Sequence, residues 1–241
     1  MSGILALFQG DLAVAGPRLE AALALARAAG DQQTAGNALN GLGIVAGRQG
    51  DWARAVARFE EFLALARARG DRGGVATALS NLGDCAVFQG DLARAAALFT
   101  EALALARQVG GHSALAVILL NLGRVARKRG ALREAAAYQR EALALARALG
   151  NARVCAECLE SLAATAGAAG QGERAARLQG AAASVRETLG APQPPDEQTE
   201  LEEAVAPARA ALGETKWAVA VAAGQKLTLE EAIAEALDEN G

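Results

Sequence analysis

Aromatic side chains account for 3% of the 241 residues, and histidine and methionine each occur once. Each shortage closes off a class of chemistry. A single histidine, His112, rules out an HExxH helix or any site built on two histidines of this chain. So few rings leave no row on which nucleobases could stack. There is no GxxxxGK[ST] loop to cradle a nucleotide phosphate and no GxSxG turn to expose a serine nucleophile. Long apolar runs are missing too. No uncharged stretch exceeds 16 residues, and one of that length, residues 32–47, includes Gln, Asn and Gly; a bilayer-spanning helix needs ~20 apolar residues. The opening MSGILALFQGD has no basic segment ahead of its apolar one, unlike a secretory signal. Three cysteines, an odd number, point to a reducing compartment, and the expected location is cytoplasmic. A net charge of −3 supplies no overall positive field for nucleic acid or an anionic membrane.

In place of aromatics the chain carries alanine and leucine, the strongest helix formers, within an apolar content of 52%. These residues recur. Leu-Ala-Leu-Ala-Arg occupies 23–27, 63–67, 103–107 and 143–147; Gly stands at 10, 50, 90, 130 and 170; and FQGDLA occurs at Phe8–Ala13 and Phe88–Ala93. The period is 40 residues, in the range of solenoids whose units bury apolar faces only against neighbours. Each unit holds two helical stretches, in one case about residues 73–89 and then Asp91–Val109. Gly90-Asp91 and Gly110-Gly111 mark the breaks, since Gly suits the left-handed end of a helix and Asp the N-cap of the next. The unit is therefore a helical hairpin, and the predicted fold is all-α.

Constant columns describe how the hairpins meet. Leu42, Leu82, Leu122 and Leu162 share one; Gly43, Gly83, Gly123 and Ala163 the next; Ala46, Ala86, Ala126 and Ala166 lie a turn later. In the second helix Ala15, Ala55, Ala95, Ala135 and Ala175 align, with Phe59 and Phe99 four residues after theirs. Small residues let backbones approach while Leu and Phe fill the remaining space. Asn81-Leu82-Gly83, Ala86, Gly90-Asp91-Leu92, Ala95, Phe99 and Ala102-Leu103 together resemble a tetratricopeptide repeat. The unit departs from the usual ~34 residues ending in Pro, because Arg67, Arg107 and Arg147 stand in the Pro column. The resemblance implies an alpha-solenoid of stacked antiparallel hairpins over residues 1–190, about four and a half repeats with the first truncated. The truncated start leads to the expectation that the chain is a fragment of a longer protein or that its start was placed too late.

Periodicity stops at Gly190. Residues 191–196, APQPPD, read as a stiff turn or linker. Residues 191–241 are expected to cap the solenoid with a helix from Glu197 to about Leu212, broken before Pro207; another over Glu214–Ala223; and a last one opened by Thr228 with Glu231 as a capping box. AARLQGAAASVRETLGAPQPPDEQTELEEAV, ALGETKW and LTLEEAIAEAL resemble the C-terminal end of the repeat region in bacterial signal-transduction ATPases with numerous domains, including LuxR-type transcriptional regulators. That resemblance implies an upstream switch domain in the same polypeptide.

Chemistry is not expected. Cys155 and Cys158 form a CxxC without a second ligand pair, and both fall in apolar repeat columns, as Cys85 does, so packing is the simpler role. No cofactor, metal or catalytic residue is assigned, and the chain is read as not an enzyme; a nucleophile at Cys155 or Cys158 is the competing reading. Binding is the expected role. In proteins of the resembled kind the first helices line a concave groove. Its columns here hold Asn37, Asn40, Ile44 and Arg48; Thr77, Ser80, Asp84 and Phe88; Val117, Leu120, Arg124, Arg127 and Lys128; and Glu157 and Glu160. These vary between units while their neighbours do not. RVARKRG, Arg124–Gly130, adds positive charge, favouring an acidic protein or peptide, or a small effector, over nucleic acid. The alternative function is a free-standing scaffold that self-associates as a homo-oligomer through residues 3–30.

Overall fold

The computed structural model describes residues 3–8, 11–110 and 112–238, and among them every regular element is a helix. Two compact units are present. The first contains α1 (Gly3–Phe8), α2 (Leu12–Ala29), α3 (Gln32–Arg48), α4 (Trp52–Ala68), α5 (Arg72–Phe88) and α6 (Leu92–Val109). The second contains α7 (His112–Lys128), α8 (Leu132–Ala148), α9 (Ala152–Ala168), α10 (Gly172–Leu189), α11 (Pro195–Leu212), α12 (Glu214–Gly224) and α13 (Leu229–Leu237). Within each unit helices pair as antiparallel hairpins, α3 with α4, α5 with α6, α7 with α8 and α9 with α10; in the first unit α4 stacks on α5, and in the second α8 stacks on α9.

The Gly-Asp dipeptide produces this alternation, and it acts every 20 residues, not every 40. At Gly50 the backbone turns left-handed (φ 78°), which an L side chain resists. The Asp51 amide then donates back to the Ala46 carbonyl at 2.9 Å and the Gly50 amide to Gly47 at 3.0 Å, a Schellman closure of α3. Asp51 in turn accepts from the Arg54 amide at 3.0 Å and opens α4. Asp11, Asp31, Asp71 and Asp91 do the same for α2, α3, α5 and α6, each cap being worth about 1 kcal/mol. In the second unit only Asn151 caps in this way among α8, α9 and α10; Ala131 and Gln171 stand where the acid would be. Of the expected breaks, Gly10 and Gly111 lie outside the described residues.

Inside each hairpin the constant columns meet as their sizes require. Phe59 lies beneath Gly43 and Phe99 beneath Gly83, so close that a Cβ on either glycine would come within 2.4 and 2.7 Å of the ring. Phe99 is fully buried, a contribution of roughly 1.5–3 kcal/mol. Ala15, Ala55, Ala95, Ala135 and Ala175 are all fully buried where backbones approach. The third hairpin breaks the pattern: buried Gln139 fills the seat at Gly123, accepting from the Thr165 hydroxyl at 2.9 Å, while its Nε2 has no partner. The Arg column that replaces Pro ties one repeat to the next, with Arg27 bonded to Glu61 and Arg67 to Glu101 (3.4 Å). For Arg147 the place of Glu61 and Glu101 is taken by Ala181, and it pairs instead with Glu230 of α13 at 2.6 Å.

The tail differs from expectation in one respect. α11 runs unbroken through Pro207, because that residue is exposed and water can serve the Glu203 carbonyl left without its intrahelical donor. α12 packs closely along α10. A Cβ on Gly224 would sit 2.0 Å from the Arg177 carbonyl oxygen, and one on Gly180 2.1 Å from that of Val221. Trp217 is buried beside this crossing. The capping box of Thr228 and Glu231 forms as expected. At the other end of α13, Arg174 donates to the Glu235, Ala236 and Asp238 carbonyls at 2.9–3.3 Å, placing a cation at the negative end of the helix.

Candidate functional site: the faces of the first helices

In the first unit the face formed by α3 and α5 is polar at its centre and aromatic at one end. Asn81 donates to the Asn40 side chain at 2.7 Å, linking the helices, and Gln33 donates to exposed Asn37 at 3.2 Å. Thr77 is exposed and bonds its own helix at the Gly73 carbonyl (3.1 Å), whereas Ser80 is buried. Ile44 and Asp84 are half-buried, and Arg48 reaches the Leu7 carbonyl at 3.3 Å. Phe88 is 58% exposed and stacks on Trp52, with ring centroids 4.0 Å apart and planes 17° from parallel. The repeat columns brought forward Phe88 but not Trp52, which opens α4 and meets Phe88 only through the stacking of hairpins.

In the second unit the corresponding face, on α7 and α9, is partly covered by α11. Arg127 bonds Glu200 of α11 at 2.7 Å, and Lys128 reaches the same carboxylate at 3.3 Å. Burial by itself would raise the Glu200 pKa, but Lys128, Arg124 and Arg127 hold it below the usual carboxylate range. Arg124, half-buried, donates to Asn121 at 3.2 Å. Leu120 is half-buried and Val117 exposed, both nearer the start of α7. Glu157 pairs with Arg153 one turn before it at 3.2 Å. Glu160 is buried and takes two hydrogen bonds of 2.8 Å from Arg186 of α10. The bidentate contact raises the Arg186 pKa against burial, which lowers it.

Beside that pair lies a cavity of about 490 Å³, lined by Glu160, Gln179, Arg186, Gln198, Leu201 and Glu202. Gln179 donates to Glu202 at 2.7 Å, while its own oxygen is buried without a partner. Glu200, Arg186 and Gln179 were not among the groove columns. Two of them sit on second helices and one in the non-repeating tail, where the column rule does not reach.

The cysteines lie where the apolar columns put them. Cys85, Cys155 and Cys158 are free and buried. Burial pushes the Cys85 thiol up to about 11 and raises Cys155 and Cys158 as well. Thiols so disposed are poor nucleophiles at neutral pH. Among the described residues no group of three or more metal-binding side chains comes together, and no helix is long and apolar enough to cross a membrane.

Comparison with known proteins agrees with this geometry. The tetratricopeptide-repeat family profile matches residues 2–68, 34–108 and 74–148, together more than half of the chain. Among solved structures, BtubC (BKLC) from P. vanneervenii is 22% identical, with 80% of each chain covered and a TM-score of 0.65. The apo form of RapI is 13% identical over 86% of this chain and 80% of that one, at 0.62. A putative kinesin light chain from Podosopora anserina, built of nearly identical TPR-like repeats, is 15% identical over 78% of this chain and 92% of that one, at 0.60. At these identities the likeness is one of fold. No curated protein matches the chain.

Proposed function

The chain belongs to the tetratricopeptide-repeat family, and from that premise we propose that it is a non-catalytic protein-interaction or ligand-sensing module of the cytoplasm. It forms the C-terminal part of a bacterial signalling ATPase or transcriptional regulator, with α11–α13 closing the array. The recognition face is the set of variable columns on the first helices: Asn37, Asn40, Ile44, Arg48, Thr77, Ser80, Asp84 and Phe88 in one unit, and Leu120, Arg124, Arg127, Lys128, Glu157 and Glu160 in the other. One observation carries this reading. The columns that pack, such as Leu42, Leu82, Leu122 and Leu162, are uniform and buried, whereas other columns of the same helices change in chemical type between repeats, as Ile44, Asp84 and Arg124 do, or Arg48, Phe88 and Lys128. Packing accounts for the first group and leaves the second to recognition. Occupation of the face changes how the array contacts an upstream switch domain; the chain supplies binding energy and geometry, and no reaction.

The test is capture of partners from the source cell by the full chain and by a variant carrying Asn40→Ala, Arg124→Ala and Arg127→Ala. Loss of captured partners, with helical content unchanged, supports the reading. An unchanged set removes the face from the proposal.

A further inference from the structure

α11 occupies the first-helix face of the second unit much as a bound helix would, and the seat is shaped for it. In the repeat columns, position 164 is Ala where other units have Ile44, Asp84 and Arg124, and position 167 is Gly, as at Gly47, where the two preceding units have Val87 and Arg127. A Cβ on Gly167 would come 3.0 Å from the Val205 Cα, so side chains of ordinary size on α9 would push the helix off. The neighbouring hairpin contributes charge. Arg124, Arg127 and Lys128 surround Glu200, and the Arg127 side chain is only 13% exposed once α11 is in place.

α11 is held by a narrow apolar stripe and by ion pairs. Its buried stripe is Leu201, Val205 and Ala208, while Ala206, Pro207, Ala210 and Ala211 face solvent. It has no side-chain N-cap, and Pro207 lacks one backbone donor. It begins after a proline-rich turn and ends at Gly213, whose φ is 88°. α12 and α13, by contrast, are fixed by the Gly180–Gly224 crossing, buried Trp217 and Ile233, and the arginines on the end of α13. α12 and α13 therefore have anchors of their own on α10 and α9, independent of the seat of α11.

We propose that this seat, formed by Arg124, Arg127, Lys128, Ala164 and Gly167, docks an acidic amphipathic helix of a partner protein, and that α11 is the resident occupant which the partner displaces. The partner helix carries a carboxylate immediately before its first apolar anchor, with further anchors four and seven residues after the first, as in Glu200, Leu201, Val205 and Ala208. This rests on the reading of the first-helix face as the recognition surface, and it names the partner's chemistry there.

The experiment uses the full chain and, as probe, a fluorescein-labelled synthetic peptide of residues 195–212, followed by anisotropy. Glu200→Lys places a cation against Arg127 and Lys128 and frees the seat. Because apparent affinity scales with the fraction of chains whose seat is open, peptide affinity is expected to rise at least tenfold over wild type. It should fall again on adding salt and be lost when Arg127→Glu and Lys128→Glu are added. If Glu200→Lys loses its helical circular dichroism, Glu200→Gln replaces it, with an expected gain of about threefold. Equal peptide affinity in wild type and a folded variant overturns the proposal. So does a wild-type dimer in light scattering that Arg127→Glu/Lys128→Glu dissociates, which would give the seat to α11 of a second copy. Loss of captured partners in the Asn40/Arg124/Arg127 variant, together with no peptide binding to Glu200→Lys, would leave the recognition face standing and remove this proposal alone.

Discussion

The two units are built from one hairpin design, yet they use it differently. In the first, apolar surface and caps do the structural work: Phe59 and Phe99 fill their glycine seats, and five aspartates open successive helices. In the second, the equivalent places carry polar groups. Gln139 takes the phenylalanine seat with an amide nitrogen left over, Glu160 and Arg186 form a buried pair, and two of the three caps are missing. Polar substitutions in a helical core cost stability unless each group finds a partner. They are concentrated around α9 and α10, the helices on which the non-repeating tail sits. The difference shows that a repeat abandons its own packing rules where it must hold something that does not repeat.

The largest effect is expected where that exchange is broken on one side. Arg186→Ala leaves the Glu160 carboxylate buried beside its cavity without its two donors, and removing one member of a buried pair costs about 3–5 kcal/mol. Forty residues earlier the same two places hold Leu120 and Ala146. Glu160→Leu combined with Arg186→Ala should therefore recover most of the loss, since an apolar pair of fitting shape needs no desolvation. Urea unfolding of wild type, single and double variants checks this. A double variant as unstable as the single one would mean that the pair holds α9 and α10 in a way that the preceding hairpin does not.

A smaller change, of opposite sign, is expected at Gln139. Replacing it by Phe and Thr165 by Val copies residues the chain already uses, since Phe59 and Phe99 occupy the first column and Val45 and Val125 the second. Gly123 supplies the same space for a ring that Gly43 and Gly83 do. Removing an unpartnered buried amide together with its hydroxyl partner should stabilise the second unit by about 1–2 kcal/mol, seen as a raised denaturation midpoint. The double substitution matters, because Gln139→Phe by itself would leave the Thr165 hydroxyl buried without an acceptor.

The contrast also explains what the sequence could reveal. Gly50-Asp51 and its equivalents, the Leu columns, the Gly–Phe seats and the Thr228–Glu231 box are local or periodic signals, and the helices and hairpins follow from them almost residue by residue. Pro207 misled because its effect depends on which side of the helix meets water. Glu160 stood out as a variable column, and a column cannot show that Arg186 lies opposite it. The seat of α11 left a faint trace, Ala164 where other repeats carry larger side chains and Gly167 where the two preceding repeats have Val87 and Arg127. It was illegible without the tail, which shares no period with the helices it covers.

The mildest test of the comparison concerns the caps. Ala131 occupies the N-cap of α8 with φ −81° and ψ 61°, close to the −85° and 75° of Asp91 at α6, but it offers no side-chain acceptor. Asp91 accepts from the Arg94 amide at 2.9 Å; an aspartate at 131 would meet the Glu134 amide in the same register. Ala131→Asp should therefore stabilise by about 1 kcal/mol, the usual value of a cap. The gain is reduced somewhat because Glu134 in the first turn adds a like charge nearby. Asp91→Ala should cost a similar amount in the first unit. If the gain at 131 is absent while the loss at 91 appears, the start of α8 is limited by something other than its missing acceptor, and the two units differ in more than the residues at their caps.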